Sequence, residues 1–156
     1  MHHRKWIVAM LMLILVSSCT SQSPSTPVDR NSDESIADNP AIVRLLADLR
    51  HRGIMPEEVG TSQVWWLSSA PGLGYQLGPD RSQELLYIHL YPDVEAAARV
   101  AAQIPPSADR GNTDWVDDPH FFQCDNLITL YLGKDSKVTS AFTDLCGPQF
   151  AGKKDV

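Results

Sequence analysis

Two aspartates and a histidine stand close together in the second half of the chain. Asp117, Asp118 and His120 occupy a polar loop that leads into an apolar segment. Two carboxylates and an imidazole can bind a divalent metal, or act as a base with its orienting partner. The rest of the chain has no HExxH, no paired CxxC and no EF-hand loop. A solvated acidic loop with a structural histidine is the simpler interpretation, and we predict no metal and no cofactor.

A second candidate site is the strand face that carries His89 and Tyr91. Side chains alternate between the two faces of a strand, so residues 84–91 divide into two sets. The opposite face carries Leu86, Ile88 and Leu90. If those leucines and isoleucine face the helices, the His89 face is left in water or against a partner. An open aromatic face is one way to form a binding surface. The alternative is that these amphipathic side chains only fill space on the second face of the sheet.

Motifs for nucleophilic or phosphate chemistry are missing from the sequence. No serine lies in a GxSxG elbow. The segment Gly72-Leu73-Gly74 lacks both a third properly spaced glycine and a lysine, so turn chemistry explains it better than a nucleotide loop. We therefore predict no catalytic residue, and an enzyme is the alternative.

The elements that must position these residues can be predicted from hydrophobic periodicity. Three segments have the apolar spacing of amphipathic helices, each with a capping residue before it and a glycine or proline after it. They run from Asn39 to Gly53, from Asp93 to Pro105, and from Asp135 or Ser136 to Gly147.

Strands are predicted where the period changes to two. The predicted strands are residues 64–67, 73–77 and 84–91, followed by a hairpin of residues 121–124 and 127–132 joined at Asp125-Asn126. Without regular βαβ alternation, these elements predict a single small α+β domain with a largely antiparallel sheet and about three helices on one face.

The N-terminus has the pattern of an export signal. Arg4 and Lys5 precede ten apolar residues, 7–16, which as a helix would span only about half of a bilayer core of roughly 30 Å. The run ends in Val16-Ser17-Ser18-Cys19, which resembles the lipobox of bacterial lipoproteins. The resemblance implies cleavage before Cys19 and lipidation of that residue, which would anchor the chain permanently. Thr20, in place of an aspartate, implies the outer membrane if the cell is Gram-negative.

Composition limits the partners and the domain count. Loss of residues 1–18 removes two positive charges and takes the formal net charge from −6 to −8, which disfavours nucleic acid as a partner. Residues 19–38 are rich in Ser, Pro, Thr and Asp and are predicted to be a disordered tether. Residues 39–152 are predicted to form one domain, and residues 153–156 a C-terminal tail.

Two further cysteines, Cys124 and Cys146, remain after the anchor. In an oxidising compartment an even pair is most simply a disulfide. The predicted bridge would join a strand to the end of the last helix. The alternative is two separate buried thiols.

Residues 115–152 resemble a group of small secreted bacterial proteins of uncharacterised function. The resemblance is carried by Trp115, by PHFF at 119–122, by LITLYLG at 127–133 and by GPQFAG at 147–152. Tyr91-Pro92-Asp93 and the first helix are similar too, so it covers most of residues 39–152. It implies no activity, and its pattern does not require either cysteine.

These observations predict a lipid-anchored protein of the cell envelope, outside the cytoplasm. Its domain is expected to bind an envelope protein or a small ligand without catalysis. The candidate binding residues are His89, Tyr91, Asp117, Asp118 and His120. An extracytoplasmic enzyme or metal-binding protein that uses the loop of Asp117, Asp118 and His120 is the alternative.

Overall fold

A six-stranded antiparallel sheet is the centre of the computed structural model, which describes residues 35–62, 64–78, 84–108 and 115–153. The strand order is β1-β2-β3-β5-β4-β6, and each pair of neighbours is antiparallel. The strands are β1 (Pro56–Thr61), β2 (Gly72–Leu77), β3 (Leu85–Leu90), β4 (Pro119–Cys124), β5 (Leu127–Leu132) and β6 (Ala151–Gly152). The predicted leader, the predicted lipidation residue Cys19 and residues 154–156 lie outside the described residues.

Three helices begin where the sequence predicts. They are α1 (Pro40–His51), α2 (Val94–Ala101) and α3 (Ser136–Cys146). The side chains of Asn39, Asp93 and Asp135 each accept a hydrogen bond from a backbone N–H of the first turn. The described residues thus confirm the small α+β domain with an antiparallel sheet and three helices.

The helices cover both faces of the sheet, whereas the sequence predicted one. On one face, α1 and α3 pack against side chains such as Ile88, Phe122 and Tyr131. On the other face, the small residues Ala97 and Ala101 of α2 lie in a cluster with their strand neighbours. β5 is buried along its whole length, so it needs cover on both sides.

One predicted strand is wrong. Residues 64–67 do not pair with the sheet, because Trp65–Leu67 forms a 3-10 turn in the connection between β1 and β2. The Oγ of Ser68 donates to the carbonyl of Trp65 and closes this turn. The edge strand of this region is instead β1, which the sequence did not predict because five of its six residues are exposed and do not alternate.

The two edges of the sheet differ in how they are protected. β1 carries the exposed residues Glu57 and Glu58, and its register shifts between Glu58 and Gly60. Charges and bulges of this kind discourage pairing with another chain. At the opposite edge, β6 pairs only with His120 and Phe121 of β4. The last residues of β4 therefore extend beyond the cover that β6 provides.

The domain begins slightly before the predicted boundary. Ile36–Asp38 forms a 3-10 turn, and Ile36 and Ala37 pack against the core, although the prediction placed these residues in the tether. Within the described part of the chain, no helix is both long enough and apolar enough to cross a membrane.

Cys124 and Cys146 form the predicted disulfide, with their Cα atoms 4.4 Å apart. Cys124 ends β4, and Cys146 ends α3. The bond therefore joins the last helix to the sheet, next to the turn between β4 and β5. In the chain-entropy model, closing a loop of this length contributes about 3 kcal/mol to stability.

Candidate functional site

The two aspartates of the predicted loop each pair with a lysine. Asp117 Oδ1 lies 2.8 Å from Lys134 Nζ, and Asp118 Oδ2 lies 2.7 Å from Lys153 Nζ. The hydrogen bond from Lys134 is the main cause that lowers the pKa of Asp117. Both carboxylates are therefore engaged in ion pairs that fasten the start of β4 to neighbouring segments.

His120 points into the core instead of joining the aspartates in a site. Its ring is 1% exposed and stacks on Tyr131, with ring centroids 5.6 Å apart. Its Nδ1 lies 2.8 Å from the side-chain oxygen of Gln149, and its Nε2 lies 3.2 Å from the carbonyl oxygen of Gly133. His120 thus links β4 to the end of β5 and to the C-terminal segment. In the described part of the chain, no three His, Cys, Asp or Glu residues are placed to hold a metal ion.

The His89 face is buried, so the open aromatic surface considered from the sequence is not present. His89 is 1% exposed and Tyr91 is 4% exposed. The alternation placed both residues on one face correctly, but α2 and the connection between β1 and β2 cover that face. His89 and Tyr91 therefore stabilise the domain rather than offering a surface to a partner.

His89 fastens the connection between β1 and β2 to the sheet. Its Nε2 lies 2.7 Å from Ser62 Oγ, and its Nδ1 lies 3.2 Å from the carbonyl oxygen of Ala70. A carbonyl only accepts, so Nδ1–H donates to Ala70, and Nε2 of the neutral ring accepts from Ser62. Burial lowers the pKa of His89, in agreement with a neutral ring.

Trp65 is an exposed aromatic side chain that the sequence interpretation placed in a strand. It is 67% exposed, and its ring meets that of Trp66 edge-on at a centroid distance of 4.9 Å. Trp66 in turn packs against Trp115, whose Nε1–H donates to the carbonyl of Ala108. The exposed ring of Trp65 therefore packs against Trp66, which in turn packs against Trp115.

A cleft of about 570 Å³ opens where β4 extends beyond β6. We call it the α2 cleft. One wall is α2 and the segment after it, the other is the segment after α3, and the turn between β4 and β5 closes one side. The lining residues are Val94, Ala101, Ala102, Ile104, Pro106, Gln123, Asp125, Cys146, Pro148 and Phe150. This volume lies in the range of ligand-binding sites, and the lining is largely apolar with a few polar groups.

The Gln123 side chain holds the polar side of the cleft in place. Its Nε2 donates to the carbonyl of Val94 at 3.4 Å and to that of Asp125 at 3.2 Å. It therefore links the start of α2 to the turn after β4. Asp125 has a φ of +54°, a conformation that aspartate and asparagine adopt more readily than most residues.

None of the predicted binding residues lines the α2 cleft, and the sequence offered little to find it. The apolar spacing of the predicted helix from Asp93 to Pro105 indicates a core-facing side, and Ala101 and Ile104 are indeed mostly buried. Asp125 was interpreted as a turn residue, which is also correct. The cleft arises because β6 is short and α2 lies across the sheet from α3, and neither fact follows from local periodicity.

Comparisons with protein-family models, with curated proteins and with solved structures found no match for this chain. The resemblance of residues 115–152 to small secreted bacterial proteins therefore stays a prediction. Function must be inferred from the predicted leader and from the geometry of the domain.

Proposed function

We propose that the protein is a lipoprotein of the cell envelope, anchored through Cys19, whose domain binds a partner through the α2 cleft. The cleft is the observation that supports binding: it is concave, mostly apolar and bordered by the edge of a strand. The leader of residues 1–18 supports export and anchoring. The disulfide is consistent with a location outside the cytoplasm.

An enzyme or metal site in the loop of Asp117, Asp118 and His120 is the less favoured function. Each carboxylate pairs with a lysine, and the imidazole is buried between two hydrogen-bond acceptors. A general base must come within hydrogen-bond distance of the proton that it removes. The His120 ring is buried and hydrogen-bonded at both nitrogens, so it does not reach a substrate.

Anchoring is tested by replacing the lipidation residue. We expect Cys19→Ser to abolish the acyl mass on the chain and to leave an uncleaved or soluble form, because no thiol remains to accept the lipid. Ser18→Gly is the matched control, since it keeps a small residue before the cysteine and should still be lipidated. Membrane retention of the Cys19→Ser protein with full acyl mass would contradict the anchor.

Binding at the cleft is tested with a photo-reactive amino acid in the native, membrane-bound protein. Val94 lines the cleft and is 49% exposed, whereas Val43 lies on α1 and is 50% exposed, so the two positions are matched. We expect an adduct in mass spectrometry from position 94 and none of the same mass from position 43. Equal adducts from both positions, or none from position 94, would argue against the cleft.

A further inference from the structure

We propose that the α2 cleft accepts an extended, basic peptide segment that pairs with Gln123 at the free edge of β4. The inference rests on the proposed binding function and specifies the chemistry of the partner. Three features support it: the hydrogen-bonding direction of β4, the shape of the cleft walls and the charge of the lining.

The backbone of β4 points towards the cleft at Gln123. Lys153 N–H donates to the carbonyl of Pro119, and Phe150 N–H donates to that of Phe121, so these two strand residues face the edge. Backbone groups of alternate residues in an antiparallel strand point to the same side. The N–H and C=O of Gln123 therefore point to the same edge, where no described backbone group bonds to them. A passing peptide residue can satisfy both groups, as in strand addition.

The walls of the cleft suit an extended chain with an apolar side chain. Ala101, Ala102 and Ile104 form one side, and Pro148 and Phe150 form the other. Successive side chains of an extended peptide point in opposite directions. One apolar side chain of the peptide can therefore enter between the walls while its neighbours remain at the rim.

The charge of the cleft favours a basic peptide over an acidic one. Asp125 is the only charged residue among those that line the cleft in the described structure. The chain as a whole is acidic, with a formal net charge of −6. Complementary charge accelerates association and excludes partners of the same sign. A lysine or arginine next to the apolar anchor of the peptide can pair with Asp125 at the rim.

The experiment uses the full chain with Cys19→Ser and two eight-residue probes, one alternating Val and Lys and one alternating Val and Glu. We expect calorimetry to show the Val-Lys peptide binding at least about tenfold more tightly than the Val-Glu peptide. Hydrogen exchange followed by NMR should show slower exchange of the Gln123 amide when the Val-Lys peptide is bound. A Val-Lys peptide with all of its backbone amides N-methylated has no backbone N–H to donate to the carbonyl of Gln123 and should bind more weakly.

Two pairs of variants test whether the peptide binds in the cleft. Val94→Arg should weaken Val-Lys binding about tenfold through blockage and repulsion, whereas Val43→Arg adds the same charge on α1 and should leave the affinity unchanged. Asp125→Asn keeps a residue that tolerates positive φ, and it should weaken binding and reduce its dependence on salt. Asp144→Asn, on α3, is the matched control.

Several results would overturn the inference. They are equal affinity for the two peptides, no change in exchange at Gln123, or equal losses in the Val94 and Val43 variants. Dimerisation of the chain through the cleft, seen by sedimentation and abolished by Val94→Arg, would assign the cleft to a second copy instead. If position 94 gives a specific photo-adduct but neither peptide binds, the binding function stands and the peptide assignment fails.

Discussion

The two buried histidines of the sheet, His89 and His120, lie on opposite faces and have different hydrogen-bond partners. The ring of His89 lies between a hydroxyl, which can donate, and a carbonyl, which can only accept. The ring of His120 lies between two acceptors, the amide oxygen of Gln149 and the carbonyl oxygen of Gly133. The neutral form therefore satisfies both bonds at His89, whereas at His120 it can donate only one.

His89 and His120 are equally buried, but they connect different parts of the chain. His89 joins the two ends of one connection, because Ser62 and Ala70 are only eight residues apart. His120 joins three distant segments, because Gln149 also donates from Nε2 to the carbonyls of Ala151 and Lys153. The first arrangement fixes a local loop, and the second holds the C-terminal segment on the sheet.

The largest loss of stability predicted here is for a substitution of Gly72, which lies against the His89 ring. A Cβ at Gly72 would lie 2.6–2.8 Å from three atoms of the His89 ring, which its two hydrogen bonds hold in place. We expect Gly72→Ala to lower the free energy of unfolding in urea by about 3 kcal/mol. Gly74→Ala is the control, because its nearest contact, with the Tyr87 ring, is 3.2 Å, and it should cost about 1 kcal/mol. Equal losses at both positions would show that His89 is not held rigidly.

A smaller effect is expected on the other face, at Gln149. Gln149→Leu removes the acceptor of His120 Nδ1 and the donor to two carbonyls, so we expect a loss of about 2 kcal/mol in the same measurement. Gln103→Leu, at an exposed position after α2, should change stability little. Comparable losses in the two variants would argue against His120 and Gln149 as the link to the C-terminal segment.

The smallest effect concerns pH and sharpens the assignment of His89. Because burial lowers its pKa in the folded protein, its stabilising contribution is complete above the ordinary value of 6.5 and is lost as the pH falls towards the folded pKa. We expect the free energy of unfolding to fall between pH 7.5 and pH 5, and to fall less in His89→Gln. An identical slope in the two proteins would mean that His89 is not held neutral.

Local patterns predicted the elements that have local causes. Asn39, Asp93 and Asp135 cap their helices through their own side chains, and the turn at Asp125 follows from a residue type that tolerates positive φ. β1 was missed because an edge strand with exposed polar residues has no apolar alternation. Residues 64–67 were misassigned because a short apolar run fits a strand and a tight turn equally well.

The candidate sites depended on contacts that no local spacing contains. Alternation placed His89 and Tyr91 on one face, but the cover on that face comes from α2 and from the connection before β2. Asp117, Asp118 and His120 are adjacent in the sequence, yet the partner that fixes His120 is Gln149, 29 residues away. Adjacency in the chain therefore predicted a site, whereas in the fold each of these side chains is bonded to a partner in another segment.

The charges and the register shift at the edge of β1 affect how copies of the protein would behave when they are crowded on a surface. Proteins fixed to a membrane are concentrated in two dimensions, so neighbouring copies would collide far more often than in dilute solution. An unprotected strand edge would then act as a template for sheet growth from copy to copy. Glu57 and Glu58 would confront the same two charges on any second molecule that approached edge to edge, and the register shift bends the strand away. If the chain is anchored as proposed, dense coverage of a membrane is thus compatible with copies that remain separate.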